Sequence, residues 1–169
     1  MKTVFETERL TIRELNQRDF ALFHEMQSDD IVMRYTTGQG FDEHENLRQL
    51  TECIDSYTKP NNQFWVWAIT RKSDQQFIGT CAIVPNNNRP EIGYRLRRTC
   101  FGNGYGQEIC DGLIEYGIQK LALTEIVAYV DLLNVASRII LDRSLLTFVS
   151  EAPNENGGTD RFYRLQANS

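Results

Sequence analysis

The segment Phe101–Gly106 reads FGNGYG, three glycines at every second position, and the apolar spacing of a helix follows at once. Glycines set this close leave backbone amides bare. At the start of a helix those amides, aided by the helix dipole, can cradle an anion such as a phosphate. The spacing is wrong for a dinucleotide fingerprint, G-x-G-x-x-G, because Gly102, Gly104 and Gly106 are evenly spaced. No G-K-[ST] follows, so a P-loop is excluded too. Two readings stay open on these residues alone: an anion cradle, or a turn whose glycines permit positive φ.

Other chemistries lack their residues. The chain has no H-E-x-x-H and no G-x-S-x-G, which argues against a zinc protease and a serine-hydrolase triad. The four cysteines, Cys53, Cys81, Cys100 and Cys110, form no C-x-x-C pair and are irregularly spaced. They read as reduced thiols of a cytoplasmic protein, with no metal site. Cys100, beside the loop, reads as a packing residue. His24 and His44 read as solvated. The net charge of -5 disfavours nucleic acid, whose phosphates attract a basic footprint, and suits a cationic substrate such as an amine. No apolar run approaches the ~20 residues of a membrane span, and MKTVFETERL lacks the apolar core of a secretory signal.

The elements around the loop must position it. RLTIREL (Arg9–Leu15) alternates as a half-buried strand does. Asp19 is expected to cap a helix through Gln27, with Phe20, Phe23 and Met26 on one face. A second helix starts at Asp42 or Glu43 and carries Leu47, Leu50, Ile54 and Tyr57. FWVWAITR (Phe64–Arg71) and QFIGTCAIV (Gln76–Val84) form an antiparallel hairpin, and PNNNRP turns into a third strand, EIGYRL (Glu91–Leu96). Trp65 and Trp67 share a strand face and read as core. After the loop come a helix with Cys110, Ile114, Ile118 and Leu121 on one side, the strand EIVAYVDLL, and a helix with Asn134 as its N-cap. A last hairpin joins FVSEA to DRFYRL. The order β-α-α-β-β-β-loop-α-β-α-β-β puts the glycines inside a strand-helix-strand unit, a usual ligand position.

EIGYRL, then FGNGYG, then a helix, a strand and NVAS, preceded by TERLTIREL and Asp19, resembles the GNAT N-acetyltransferase superfamily, and within it the RimJ/RimL-like branch. The aromatic Phe101 ahead of G-x-G-Y-G is that branch's form of the motif. The resemblance covers nearly the whole chain. It implies one α/β (α+β) domain over residues 1–169: a central mixed, mostly antiparallel, twisted sheet of about seven strands flanked by about four helices. It also implies acetyl-CoA as cosubstrate, with Gly102, Asn103, Gly104, Tyr105 and Gly106 around the pyrophosphate. Leu96, Arg97 and Arg98 fall on the approach to the loop, where the pantetheine arm runs. The two arginines are equally readable as a solvated strand end.

The implied reaction moves an acetyl group to a primary amine, either a protein N-terminal α-amine or a small molecule, in a ternary complex. The amine must lose a proton and the departing thiolate must be stabilised. Glu91 matches the position where relatives often carry a glutamate base; the competing reading is an exposed strand end. Asn134 and Ser137 match an N-x-x-S element, so Ser137 would sit in a first helical turn, facing the thiolate. Many members carry a tyrosine acid at the position of Leu141, which shifts the acid role to Ser137. The usual K-x-G-F ending is replaced by RSLLTF. Arg34 and Tyr35 fall where the family's substrate loop lies but read more simply as surface residues. Relatives often dimerise, so a homodimer is one expected assembly. The rival functions are a CoA-binding module without catalysis and a nucleotide-phosphate binder.

Overall fold

In the computed structural model, which describes residues 1–167, the aromatic and β-branched stretches form the middle of an eight-stranded sheet in the order β1-β2-β3-β4-β5-β6-β8-β7. Its first half is an antiparallel run: β1 (Thr3–Glu6), β2 (Leu10–Arg13), β3 (Trp65–Arg71), β4 (Phe77–Asn86) and β5 (Arg89–Leu96). The β4–β5 turn is tight because Asn87 and Asn88 both take positive φ, 50° and 60°, as a two-residue hairpin of this hand requires. The second half comprises β6 (Glu125–Asp131), β7 (Thr147–Pro153) and β8 (Thr159–Gln166), with β8 between the other two.

Alternation along β3 assigns the two faces. Trp67 and Ile69 point into a core with Ile92, Ile109, Cys110, Leu113 and Ile114, so α4 (Tyr105–Gln119) covers that side. Ala68 points the other way, into a second core with Phe23, Met26, Leu50 and Cys53. Those residues come from α1 (Phe20–Gln27) and α3 (Glu43–Ser56). Trp67 meets Tyr116 edge-on at 5.6 Å, the core role read for it. All four cysteines are buried and free. No helix among the described residues is long and apolar enough to cross a membrane.

The structure adds two short elements to the expected about seven strands and about four helices. The edge strand β1 and the single turn α2 (Asp30–Met33) are each four residues long, too short to show a period. Asp19 also has a different task. It makes no side-chain capping bond to α1. Its carboxylate instead grips Arg13 at 2.7 and 2.8 Å in a buried bidentate pair, while Asn16 and Asp19 form a capping box on the preceding turn. Asn134 caps α5 (Val135–Arg143) as expected, its Oδ1 accepting from the Ser137 amide at 3.2 Å.

One joint in the sheet is incomplete. β5 and β6 are parallel, and they share a single pair, Glu91 with Val127. Beyond it the strands part, so the β6-side edge of β5 from Ile92 to Leu96 has no strand partner. β4 holds the other edge throughout, from Asn86–Arg89 to Gly79–Leu96.

Candidate active site

The parted strands open a cleft of about 1010 Å³ that crosses the sheet. Its floor is the free edge of β5. One end is the glycine loop and the start of α4; the other is walled by α1, α3 and the Arg34–Thr36 segment. A bare strand edge accepts an extended ligand by the same hydrogen bonds a further strand would make.

The loop end is built from backbone. Gly102 and Gly104 take φ of 75° and 77°, a conformation that costs other residues about 1–2 kcal/mol. The first backbone bond of α4 runs from the Glu108 amide to Gly104 O at 3.3 Å, so the amides from Gly102 to Gln107 precede the helix's own ladder and are available to an anion. The loop carbonyls are tied inward. Asn103 Nδ2 donates to Cys100 O and Phe101 O at 3.1 and 3.0 Å, and Arg9 Nη1 donates to Asn103 O at 2.9 Å. Arg9 is fixed in turn by Glu108, at 2.7 Å from both its amide and its Nε, and its guanidinium lies over the Tyr105 ring. Burial works against the Glu108 charge. Hydrogen bonds from Thr7 and Arg9 outweigh it and hold the carboxyl below its usual range. The TERL opening of the chain is therefore a clamp on the glycine loop. Gly106 is enclosed, since a Cβ there would meet Ile140 Cδ1 at 2.7 Å. Phe101 and Leu96 line the cleft with the glycines.

Glu91 stands where β5 and β6 begin to part. It is half-buried, and Asn86 Nδ2 donates to its Oε2 at 2.8 Å. Burial raises its pKa above the usual carboxylate value; Asn86 opposes the shift and Asp160 adds to it. A carboxylate made more basic by its surroundings is suited to taking a proton near neutral pH. Asn86 was not singled out from the sequence. Its place in a turn hid a contact that only the hairpin register creates.

Across the cleft, Ser137 lies in the first turn of α5, and Asn134, its cap, also faces the cleft. Beside Ser137 is a residue that sequence reasoning missed. Tyr94 is on the α4 face of β5, and its hydroxyl is buried with no hydrogen-bond partner among the described residues. Ser137 is near enough to favour its ionised form, but not in hydrogen-bond geometry. Burial dominates and pushes the phenol pKa well up, so the group stays protonated. Leu141 is core, 3% exposed.

The two arginines expected on the cofactor approach do not line the cleft with their side chains. Arg97 is buried, its Nη2 and Nε 2.8 and 3.2 Å from Glu25 Oε1, and its Nη1 3.3 Å from Phe77 O. Its amide is also spent, on Ile78 O. Arg98 is exposed, 3.9 Å from Asp29. Arg95, between them and Glu91, does line it. In EIGYRL the polar positions Glu91, Gly93 and Arg95 alternate with Ile92, Tyr94 and Leu96. That pattern places Arg95 on the face that α1 and α3 cover. Arg34 and Tyr35 line the same end and are exposed, surface residues at the mouth of the cleft.

Parted parallel strands, a bare edge and an amide-lined loop form a cleft whose geometry suits an extended ligand with an anionic end. The acetyltransferase (GNAT) domain family matches residues 9–144. An uncharacterised N-acetyltransferase, p20 of Bacillus licheniformis, is 33% identical over 147 residues, spanning 84% of this chain and 80% of that protein. The uncharacterised N-acetyltransferase YoaA of Bacillus subtilis is 29% identical over 146 residues, 83% of this chain and 81% of its own. Among solved structures, a GNAT-family acetyltransferase from Bacillus anthracis superimposes with a TM-score of 0.83 at 20% identity, covering 95% of this chain and 96% of that one. A RimL ribosomal α-N-protein acetyltransferase in complex with coenzyme A gives 0.80 at 16% identity, covering 98% of both. The chain belongs to the GNAT acetyltransferase family. By class it is an acetyl-CoA-dependent N-acetyltransferase.

Proposed function

We propose that this enzyme acetylates a primary amine by direct attack in a ternary complex, with Glu91 as base and Ser137 at the thiolate. The observation that carries this reading is the position of Glu91. A carboxylate of raised pKa stands at the apex of the wedge, at the last shared pair of β5 and β6. The bare β5 edge leads from it to the unused amides of Gly102–Gln107. The residues present fit acetyl-CoA: the loop offers donors to a pyrophosphate, and Leu96 and the free edge offer strand-like bonds to the pantetheine arm.

When bound, acetyl-CoA supplies an activated carbonyl carbon and a sulfur leaving group. Glu91 removes a proton from the acceptor ammonium, directly or through one water. The amine nitrogen then bonds to the carbonyl carbon as the C–S bond breaks. Ser137, with its amide held by the Asn134 cap, donates to the thiolate. The thiolate takes up the second proton, which the nitrogen sheds as the amide forms, and the protonated Tyr94 hydroxyl stands behind Ser137. The helix dipole of α5 favours negative charge at that point.

The acceptor is a protein N-terminal α-amine or a small amine. The RimL likeness favours the first, since that neighbour is named for α-N-protein acetylation. A second reading, CoA binding without turnover, rests on Leu141, which gives α5 no hydroxyl at that position. The test is to incubate the enzyme with acetyl-CoA and a panel of amines and N-terminal peptides, and to follow free thiol. Release that depends on one class of amine supports the first reading. Tight CoA binding with no turnover on any acceptor supports the second.

A further inference from the structure

Arg95 stands on the same face of β5 as Glu91, with Gly93 between them. A Cβ built at Gly93 would meet nothing within 4 Å, so the space along that face is open. Among the described residues the Arg95 side chain has one protein hydrogen bond, from Nη1 to Gln27 Oε1. Gln27 is held in place. Its Nε2 donates to Asn46 Oδ1 and Gln49 Oε1, both at 3.0 Å. Asn46 is fully buried, and its Nδ2 reaches His24 Nδ1 at 2.9 Å and Phe41 O at 3.1 Å. Gln27 therefore presents its oxygen to the guanidinium and cannot turn without breaking the set.

No carboxylate lies within ion-pairing distance of Arg95 among the described residues. Arg13, Arg97 and Arg161 are also sheltered, and each has one: Asp19 at 2.7 Å, Glu25 at 2.8 Å and Glu151 at 2.9 Å. Burial draws the Arg95 pKa down to about 10, as expected of a cation withdrawn from water without a counter-charge. Sheltered charges are normally paired, because the desolvation cost is otherwise unmet. The remaining donors of Arg95 belong to the cleft wall and form a planar fork suited to a carboxylate.

We propose that Arg95 anchors a carboxylate carried by the acceptor, so that the substrate is an amine that also bears a carboxylate. Its amine faces Glu91 and its carboxylate faces the Arg95 fork, across the gap at Gly93. The proposal rests on the acetyltransferase reading of the cleft.

The test uses glycine, γ-aminobutyrate, ε-aminocaproate and short dipeptides, each against its carboxamide. Thiol release measures turnover. Calorimetry measures binding of the N-acetylated forms to the CoA-loaded enzyme, which needs no turnover. The wild type is expected to prefer at least one carboxylate over its carboxamide by about tenfold or more, and Arg95→Gln to erase that preference through KM, by roughly 30-fold, with CoA affinity unchanged. Arg95→Lys should restore part of it. Three results would overturn the proposal: no wild-type preference, an equal loss on both members of each pair, or a weakened CoA affinity, which would assign the counter-ion to a CoA phosphate. Arg95-dependent binding of N-acetylated carboxylates with no turnover of any amine would sustain the anion site and overturn the acetyltransferase reading alone.

Discussion

The two ends of the cleft are made of different material. The loop end is backbone: amides exposed by Gly102 and Gly104, and carbonyls pinned by Asn103 and Arg9. The sheet end is side chain: Glu91 and Arg95 from β5, Gln27 from α1, Asn46 and Gln49 from α3. The first arrangement recognises a ligand by where donors point, and one short segment can specify it. The second exists only after the sheet has brought distant residues together. The proposed function therefore assigns binding of the common cosubstrate to the loop end, and proton transfer and acceptor choice to the sheet end.

The sharpest test of that division is Glu91→Gln. It keeps an oxygen for Asn86 to donate to but removes the charge. Turnover should fall by about 10²–10⁴, the range typical for loss of a general base, with CoA affinity near wild type. The wild-type kcat/KM should rise with pH through a pKa above the usual carboxylate value, and the variant should lack that limb. Stability should move oppositely. A carboxyl whose folded pKa is raised contributes stability below its unfolded pKa and loses it as pH rises through the folded value. Near pH 7 the variant should therefore melt higher than wild type, and the gap should close in acid. A pH-rate profile together with thermal melts at two pH values checks both.

Gly104→Val should do the reverse. The φ of 77° strains any β-branched residue, and a side chain there would meet Arg9 Nη2 at 3.4 Å. CoA affinity should fall by roughly two orders of magnitude, about 2.7 kcal/mol, measured by calorimetry. Gly157 supplies the control. It has nearly the same φ, 79°, with open space around it, in the β7–β8 turn. Gly157→Val should cost stability alike and leave CoA affinity alone. Equal loss of affinity in both variants would mean that backbone strain, not a cradle, is being read.

Arg9→Gln comes next in size. It loosens the loop without touching the ligand-facing amides. CoA affinity should fall about tenfold, the worth of a charge-assisted bond. Glu108, relieved of its partner, should titrate closer to its ordinary value. Affinity unchanged by the loss of Arg9 would mean the glycine loop holds its own shape.

The same division explains what could be read without coordinates. Strands with alternating aromatic and β-branched residues and helices with apolar stripes announce themselves locally, as do the FGNGYG loop and the Asn134 cap. Sequence leaves Arg97 and Arg98 open between the cofactor approach and a solvated strand end because both stand next to the loop, and only the chain's turn at Arg97–Cys100 sends one to Glu25 and the other to solvent. Arg95 was overlooked although its strand phase matches that of Glu91 and Gly93. Its meaning depends on Gln27, 68 residues away, and on the absence of a carboxylate, which no local pattern encodes. β1 and α2 were invisible because four residues carry no period. Asp19 is expected to cap α1 but pairs with Arg13 instead, and nothing in the spacing separates a cap from a buried ion pair.

Tyr94→Phe should have the smallest effect, and its two readouts should diverge. The hydroxyl is buried with no partner among the described residues, and a buried polar group without a hydrogen bond costs roughly 1–3 kcal/mol of desolvation. Removing it should leave stability unchanged or raise the melting temperature slightly. If the phenol turns to hydrogen-bond Ser137 as the thiolate forms, kcat should nonetheless drop several-fold. The drop should be smallest with an acetyl thioester whose thiol is more acidic than that of CoA, because such a thiolate leaves without help. Ser137→Ala should show the same leaving-group dependence, more steeply, since it stands nearer the sulfur. A Tyr94→Phe enzyme that is more stable and equally fast with every thioester would leave the hydroxyl as a residual packing cost. It would confine the chemistry to Glu91 and Ser137.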